Sequence, residues 1–181
     1  MRKVLYIFGL LNDADIEWLG QAGKLRSLAG GTVLIREGDK LDRLFILIDG
    51  HVDVSIAGLG VVANLGAGEM LGEMSFVDSS PTSATVTAKG EVKLLELGRA
   101  DLEARFAQDT GFGMRFFRAL SVFLADRMRG TIKRLGYGAA GSLDSDEILE
   151  DELDEGLLDT VSLAGDRFSR MLRILTNASK G

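Results

Sequence analysis

The sequence predicts a mainly β protein with flanking helices, in which short strands suited to a sandwich or a roll lie between an N-terminal helix and a long C-terminal one. Three observations carry that prediction. Between residues 24 and 98 the chain falls into short runs rich in Val, Ile, Leu and Thr, separated by glycine-containing turns. Glycine occurs 23 times against a single proline, as expected where many tight reversals join short strands. After Gly98 the apolar period changes to that of an α-helix.

Asp13 is positioned to cap an opening helix through Ile16, Trp18 and Leu19, with Glu17 early in the helix, where its dipole favours an acid. Seven strand-like runs come next: Lys24 to Ser27, Thr32 to Ile35, Leu44 to Ile48, His51 to Ile56, Val61 to Leu65, Ser83 to Thr87 and Val92 to Leu97. Gly30-Gly31, Glu37-Gly38-Asp39, Asp49-Gly50, Gly58-Leu59-Gly60 and Gly66-Ala67-Gly68 stand between strands and read as turns. Helical periodicity begins over Asp101 to Phe106 and continues from about Gly111 to Leu135. In the longer helix Phe116, Leu120, Phe123, Leu124, Met128 and Ile132 share one stripe. Arg115, Arg118, Asp126, Arg129 and Lys133 occupy the opposite face. That stripe must bury itself on the roll or on a second copy, so a homodimer through the 111–135 helix is expected.

Gly136-Tyr137-Gly138-Ala139-Ala140-Gly141-Ser142 reads as a helix break and linker. From Asp144 to Glu155 eight of twelve residues are acidic, the pattern of a solvated spacer. Leu157, Val161, Ala164, Phe168, Met171, Leu172 and Leu175 then recover a helical stripe. The expected organisation is therefore residues 1–136 as one domain with its closing helix, 137–156 as linker, and 157–181 as a C-terminal amphipathic helix. That last helix is expected to dock on the roll or on a dimer mate. Its polar face is not predominantly basic, which argues against a membrane surface.

Charge excludes further classes. The net charge of −6 resides in residues 144–181, which hold 10 acidic and 4 basic residues, whereas residues 1–143 carry 17 of each sign. An acidic tail repels phosphate backbones, and the segment after the long helix is too short and too acidic for a helix-turn-helix, so nucleic acid is not an expected partner. The absence of cysteine removes disulfides and thiolate chemistry. The apolar run Val4 to Leu11 is interrupted by Asn12, Asp13 and Asp15 without a clear cleavage site. It is read as folded chain in a cytoplasmic protein with no membrane span. The single histidine, His51, has no partner set for metal binding or general-base work, there is no Walker A pattern, and no catalytic residue, metal site or cofactor is expected.

The functional signal is concentrated in Gly68-Glu69-Met70-Leu71-Gly72-Glu73-Met74-Ser75-Phe76 followed by Pro81-Thr82-Ser83-Ala84-Thr85-Val86. Glu73 opens a short helix whose free N–H groups attract an anion, while its carboxylate can accept from neutral hydroxyls. Complementing the helix dipole is the competing role for the same residue. This segment resembles the phosphate-binding cassette of the cyclic-nucleotide-binding domain family, F-G-E-x-A-L then P-R-A-A-T-V. Upstream, Ile35-Arg36-Glu37-Gly38-Asp39, Leu44-Phe45-Ile46-Leu47 and Gly50-His51-Val52-Asp53-Val54 resemble its early strands, so the similarity covers roughly residues 8 to 135.

The resemblance implies a β-roll of the double-stranded β-helix or jelly-roll type that serves as a regulatory module, not an enzyme, and binds cyclic AMP or cyclic GMP. It implies ligand contacts at Leu71, Gly72, Glu73, Met74, Ser75, Thr82, Ser83 and Thr85, with Glu73 on the ribose hydroxyl and Ser83 near the phosphate. It also implies a closing helix in which Thr131 can either meet a base edge or stand exposed. Thr82 departs from the pattern, because the family places an arginine there. A charge-assisted contact is worth on the order of 1.5–3 kcal/mol, roughly tenfold to over a hundredfold in affinity. Arg36, Lys40 and Lys89 are the candidates to compensate. Two alternatives stay open: a degenerate roll used for protein interaction or dimerisation, and a pocket for a different anionic metabolite.

Overall fold

The computed structural model describes the backbone of residues 8–138 and 155–178, and side-chain surroundings over 8–132 and 164–175. The acidic run from Asp144 to Asp154 and the first residues of the chain lie outside the described residues. Helix α1 spans Asp13–Ala22, and strands β1 to β5 are Lys24–Leu28, Val33–Ile35, Arg43–Ile56, Gly60–Gly66 and Met70–Leu71. A six-residue helix α2 (Glu73–Asp78), strand β6 (Thr85–Gly98) and helices α3 (Arg99–Gln108), α4 (Thr110–Gly138) and α5 (Glu155–Ala178) complete the chain.

All pairings are antiparallel, in the order β1-β6-β3-β4, with β2 added to β6 and β5 to β3. The seven expected runs resolve into five strands, because four of them merge pairwise into the two fourteen-residue strands β3 and β6, and the two-residue strand β5 is added to them. Asp49-Gly50 is therefore not a turn. The β3–β6 register shifts on both sides of Asp49, and Gly50 takes φ +87° there, so the strand bends without ending. A Cβ at Gly50 would lie 2.4 Å from the Glu91 carbonyl oxygen, which makes the bend both conformationally and sterically specific.

That bend lets one strand serve two layers. Along β3 the side chains alternate: Leu44 and Ile46 join a cluster with α1, α3, α4 and α5, whereas Phe45 and Leu47 join Ile35, Val52, Leu71, Val86 and Leu94 inside the roll. Burial on both faces explains the continuous apolar run at 44–48.

The helix α1 is capped by Asn12, one residue before the expected Asp13. The Asn12 side chain accepts from the Asp15 N–H and the Asp15 carboxylate accepts from the Asn12 N–H, both at 2.9 Å. Asp15 is fully buried and also receives Arg115 of α4 at 2.6 and 2.8 Å. Arg115 thus directs its charge at a buried carboxylate while part of its side chain still meets solvent. Helix α4 buries Phe112, Phe116, Ala119, Leu120 and Phe123, while the later stripe residues Met128 and Ile132 stay exposed. Its backbone continues through Gly138, past the break expected at Gly136, since one glycine costs a helix only about 1 kcal/mol.

Helix α5 returns to lie along α1, with contacts to β1. Ala164, Met171 and Leu175 enter the helical core, and burial of Met171 or Leu175 is worth on the order of 1.5–3 kcal/mol each. Gly20 supplies the close approach, since a Cβ there would meet Ile174 at 3.0 Å. Arg167 donates to Asp13 at 2.8 Å and to the carbonyls of Phe8 and Gly9 at 3.2 and 3.3 Å, which ties α5 to the chain before α1.

Candidate ligand pocket

A cavity of about 560 Å³ opens where the roll, the cassette and α4 converge. Ile35, Val54, Val62, Ala63, Leu65 and Val86 form its wall from the roll. The cassette contributes Leu71 to Ser75 and Thr82 to Ala84, and α4 contributes Arg127 and Thr131. The volume suits a single small molecule, and an apolar wall with a few convergent polar groups is the usual composition of such a site.

Seven of the eight residues expected from sequence meet at this cavity: Leu71, Gly72, Glu73, Met74, Ser75, Thr82 and Ser83. Thr85 does not. Its hydroxyl oxygen accepts the Glu37 N–H at 3.0 Å and serves the turn beneath the cassette. Gly72 is required at the cavity wall by its own backbone and its neighbours. It has φ +83°, and a Cβ would fall 2.4 Å from Leu41 Cδ2 and 3.2 Å from the Arg43 carbonyl oxygen.

Thr82 is nine-tenths buried and turned inward. Its hydroxyl hydrogen-bonds the Arg36 carbonyl and lies 3.2 Å from that of Asp39, while its N–H donates to Asp39 O at 2.9 Å and its carbonyl accepts from Gly38 at 2.8 Å. One hydroxyl has one proton, so Thr82 holds the 36–39 turn in place and retains no donor for a ligand. Arg36, Lys40 and Lys89, the proposed substitutes for the missing cation, do not line the cavity. His51 sits on β3 beside Gly66, away from it.

The cation at the cavity is one that sequence reasoning missed. Arg127 of α4 forms an ion pair with Glu73 and reaches within 3.7 Å of Glu69 Oε2. Its guanidinium stacks 5.5 Å from the Phe123 ring. Burial pushes the Glu73 carboxyl above its ordinary value, with Arg127 pulling it back and Glu69 adding to the rise. The available signal was the i, i+4 spacing of Phe123, Arg127 and Thr131, which continues the apolar stripe of α4 into a charge and a hydroxyl. Thr131 is exposed at the rim and its hydroxyl donates to the Arg127 carbonyl at 3.0 Å.

The cassette helix is anchored from behind. Arg99 donates to the carbonyls of Ser75 and Phe76 at 2.5 and 3.1 Å and lies over the Phe76 ring at 4.8 Å. Phe76 packs in turn on Phe106, Phe116 and Phe117. The cassette is thus in direct contact with the start of α3 and with α4.

A β-roll whose cavity is bounded on one side by a short cassette helix and on another by a long helix defines a small-molecule-binding domain. Comparison with known proteins makes this specific. Residues 25–109 match the model of the cyclic nucleotide-binding domain. A cyclic nucleotide-gated potassium channel of Rhizobium etli is 35% identical over 97 residues, covering 54% of this chain and 27% of the channel.

Among solved structures, a cyclic nucleotide-binding domain from Methylobacillus flagellatus superposes with a TM-score of 0.68 at 26% identity, covering 78% of this chain and 85% of that one. The N-terminal domain of a transcriptional regulator from Streptomyces coelicolor is 32% identical, with a TM-score of 0.59 and coverage of 81% and 99%. The chain belongs to the cyclic nucleotide-binding domain family. It spans about a quarter of the length of the curated relatives it matches. Among the described residues no helix is long and apolar enough to cross a membrane.

Proposed function

We propose that this chain is a non-catalytic, cytoplasmic regulatory module that binds cyclic AMP or cyclic GMP in the cavity and relays occupancy through its C-terminal helices. One observation carries the reading: the cassette and α4 share one cavity, joined by the Glu73–Arg127 ion pair. A ligand there touches the receptor loop and the output helix together, so its differential contacts can shift α4. In this reading Glu73 receives the ribose hydroxyl. The apolar wall of Val54, Val62, Leu65 and Val86 suits a base or sugar face.

Calorimetry with each nucleotide tests this directly. Heat of binding and a raised melting midpoint are expected; neither, at millimolar ligand, would defeat it. The inward-turned Thr82 favours a second reading, a roll that has lost nucleotide binding and serves as an interaction module. In that case Thr82→Arg confers binding that the parent lacks. A different anionic metabolite is the third occupant, and mass spectrometry of the purified protein distinguishes it.

Homodimerisation is supported by four exposed apolar residues on α4, Met114, Phe117, Met128 and Ile132. Light scattering is expected to give twice the chain mass, and Met128→Glu with Ile132→Glu to give the monomer; a monomeric parent would reject the dimer.

A further inference from the structure

Among the described residues Arg127 is the one basic side chain lining the cavity, and it is already engaged. It faces two carboxylates, Glu73 and Glu69, which are 3% and 7% exposed. The cassette offers no cation of its own, because Thr82 spends its proton on backbone carbonyls. A phosphate entering this cavity is thus a third anion beside a single guanidinium. In a poorly solvated site such an excess is strongly disfavoured unless the cation changes partner. A guanidinium is suited to that exchange, since its five N–H donors pair bidentately with carboxylate or phosphate alike.

We infer that Arg127 of α4 supplies the phosphate-pairing charge in this chain, and that ligand binding is an exchange in which Arg127 leaves Glu73 for the phosphate. The inference rests on the cyclic-nucleotide reading and deepens it. Glu73 then has two opposed effects: it accepts from the ribose, and it competes with the ligand for Arg127. Because Arg127 is part of α4, the exchange couples occupancy to the position of that helix without any intermediary.

The exchange predicts opposite signs for two substitutions that break the same ion pair. Glu73→Gln retains a hydrogen-bonding side chain for the ribose and frees the guanidinium, so affinity for cyclic AMP or cyclic GMP by calorimetry rises at least threefold. Arg127→Gln removes the phosphate partner and lowers it at least tenfold. Adding Thr82→Arg to Arg127→Gln restores a cation from the cassette side and recovers most of the loss. If Arg127 merely held α4 down on Glu73, both single substitutions would act in the same direction, and that result overturns the assignment.

Proton linkage is an independent readout. Glu73 is faced by Glu69 from the β4–β5 connection and by Arg127 from α4. Once Arg127 departs, the Glu73 carboxyl loses both lowering influences of the guanidinium, while burial, the largest influence, and Glu69 continue to raise it. Binding therefore takes up a proton, parent affinity increases as pH falls, and Glu73→Gln abolishes the slope; a flat parent profile counts against the exchange. Melting midpoints establish that each variant is folded. If neither the parent nor Glu73→Gln binds while single Thr82→Arg does, the Arg127 assignment falls and the nucleotide reading of the cavity stands. If no variant binds, Thr82→Arg included, both fall.

Discussion

Arg115 and Asp15 form an ion pair whose two members are buried unequally, and the inequality predicts which substitution costs more. The Asp15 side chain is 1% exposed and that of Arg115 is 32% exposed. Arg115→Met leaves a carboxylate in the core with the Asn12 N–H at 2.9 Å as its remaining hydrogen-bond partner among the described residues. Loss of one partner of a buried pair costs about 3–5 kcal/mol, and the retained N–H places this case near the lower figure. Asp15→Asn keeps an oxygen to accept from Asn12 and leaves Arg115 able to turn toward water, so about 1–2 kcal/mol is expected. With a urea dependence of about 2 kcal/mol per molar, the Arg115→Met midpoint falls by roughly 1.5 M and the Asp15→Asn midpoint by about 0.5–1 M. Urea unfolding followed by circular dichroism reads both. Equal losses, or a larger loss for Asp15→Asn, would refute the argument that burial asymmetry governs the pair.

Other contacts give further expected outcomes. Gly20→Leu drives a side chain into Ile174, where even a Cβ would stand at 3.0 Å, so it costs about 1–3 kcal/mol and raises amide exchange in α5; unchanged exchange over residues 164–175 would count against the docking of α5 on α1. Gly50→Ala meets both φ +87° and the Glu91 carbonyl at 2.4 Å, and a loss of about 2 kcal/mol or more is expected from thermal unfolding. Glu73 contributes a pH dependence of stability whose sign is set by its raised folded-state pKa. The protonated form is favoured by folding, so this contribution is complete below the ordinary value of 4.5 and is lost as pH rises through the folded-state value. Glu73→Gln is accordingly expected to melt above the parent at neutral pH, with the difference closing in acid; a constant difference across pH would contradict it.

The cassette was legible because its information is local. Gly72, Glu73, Ser75, Thr82 and Ser83 lie within a dozen residues, and the backbone between them folds into one turn of helix and one loop, so neighbours in sequence remain neighbours at the cavity. The strand runs were legible for the same reason, except at Met70–Leu71, which was not expected as a strand, and at Asp49-Gly50 and the facing Ala88–Glu91 stretch of β6, where two runs proved to be one continuous strand. Thr82 was recognised as a departure, but its effect was only half visible: sequence showed the lost charge, and the structure showed the hydroxyl turned to the 36–39 turn.

Sequence alone thus determined the strand-rich region, its turns and the closing helix, because periodicity and turn chemistry act over a few residues, while the resemblance of one segment to a family cassette pointed to the roll and to the place of the pocket. Tertiary structure decided what the sequence could not express. Arg127 meets Glu73 across 54 positions, Arg115 meets Asp15 across 100, and Arg167 meets Asp13 across 154. Which of many surface arginines finds which carboxylate depends on how helices cross over the roll. That crossing is set by the shape of the buried core, a property of the whole chain and not of any segment.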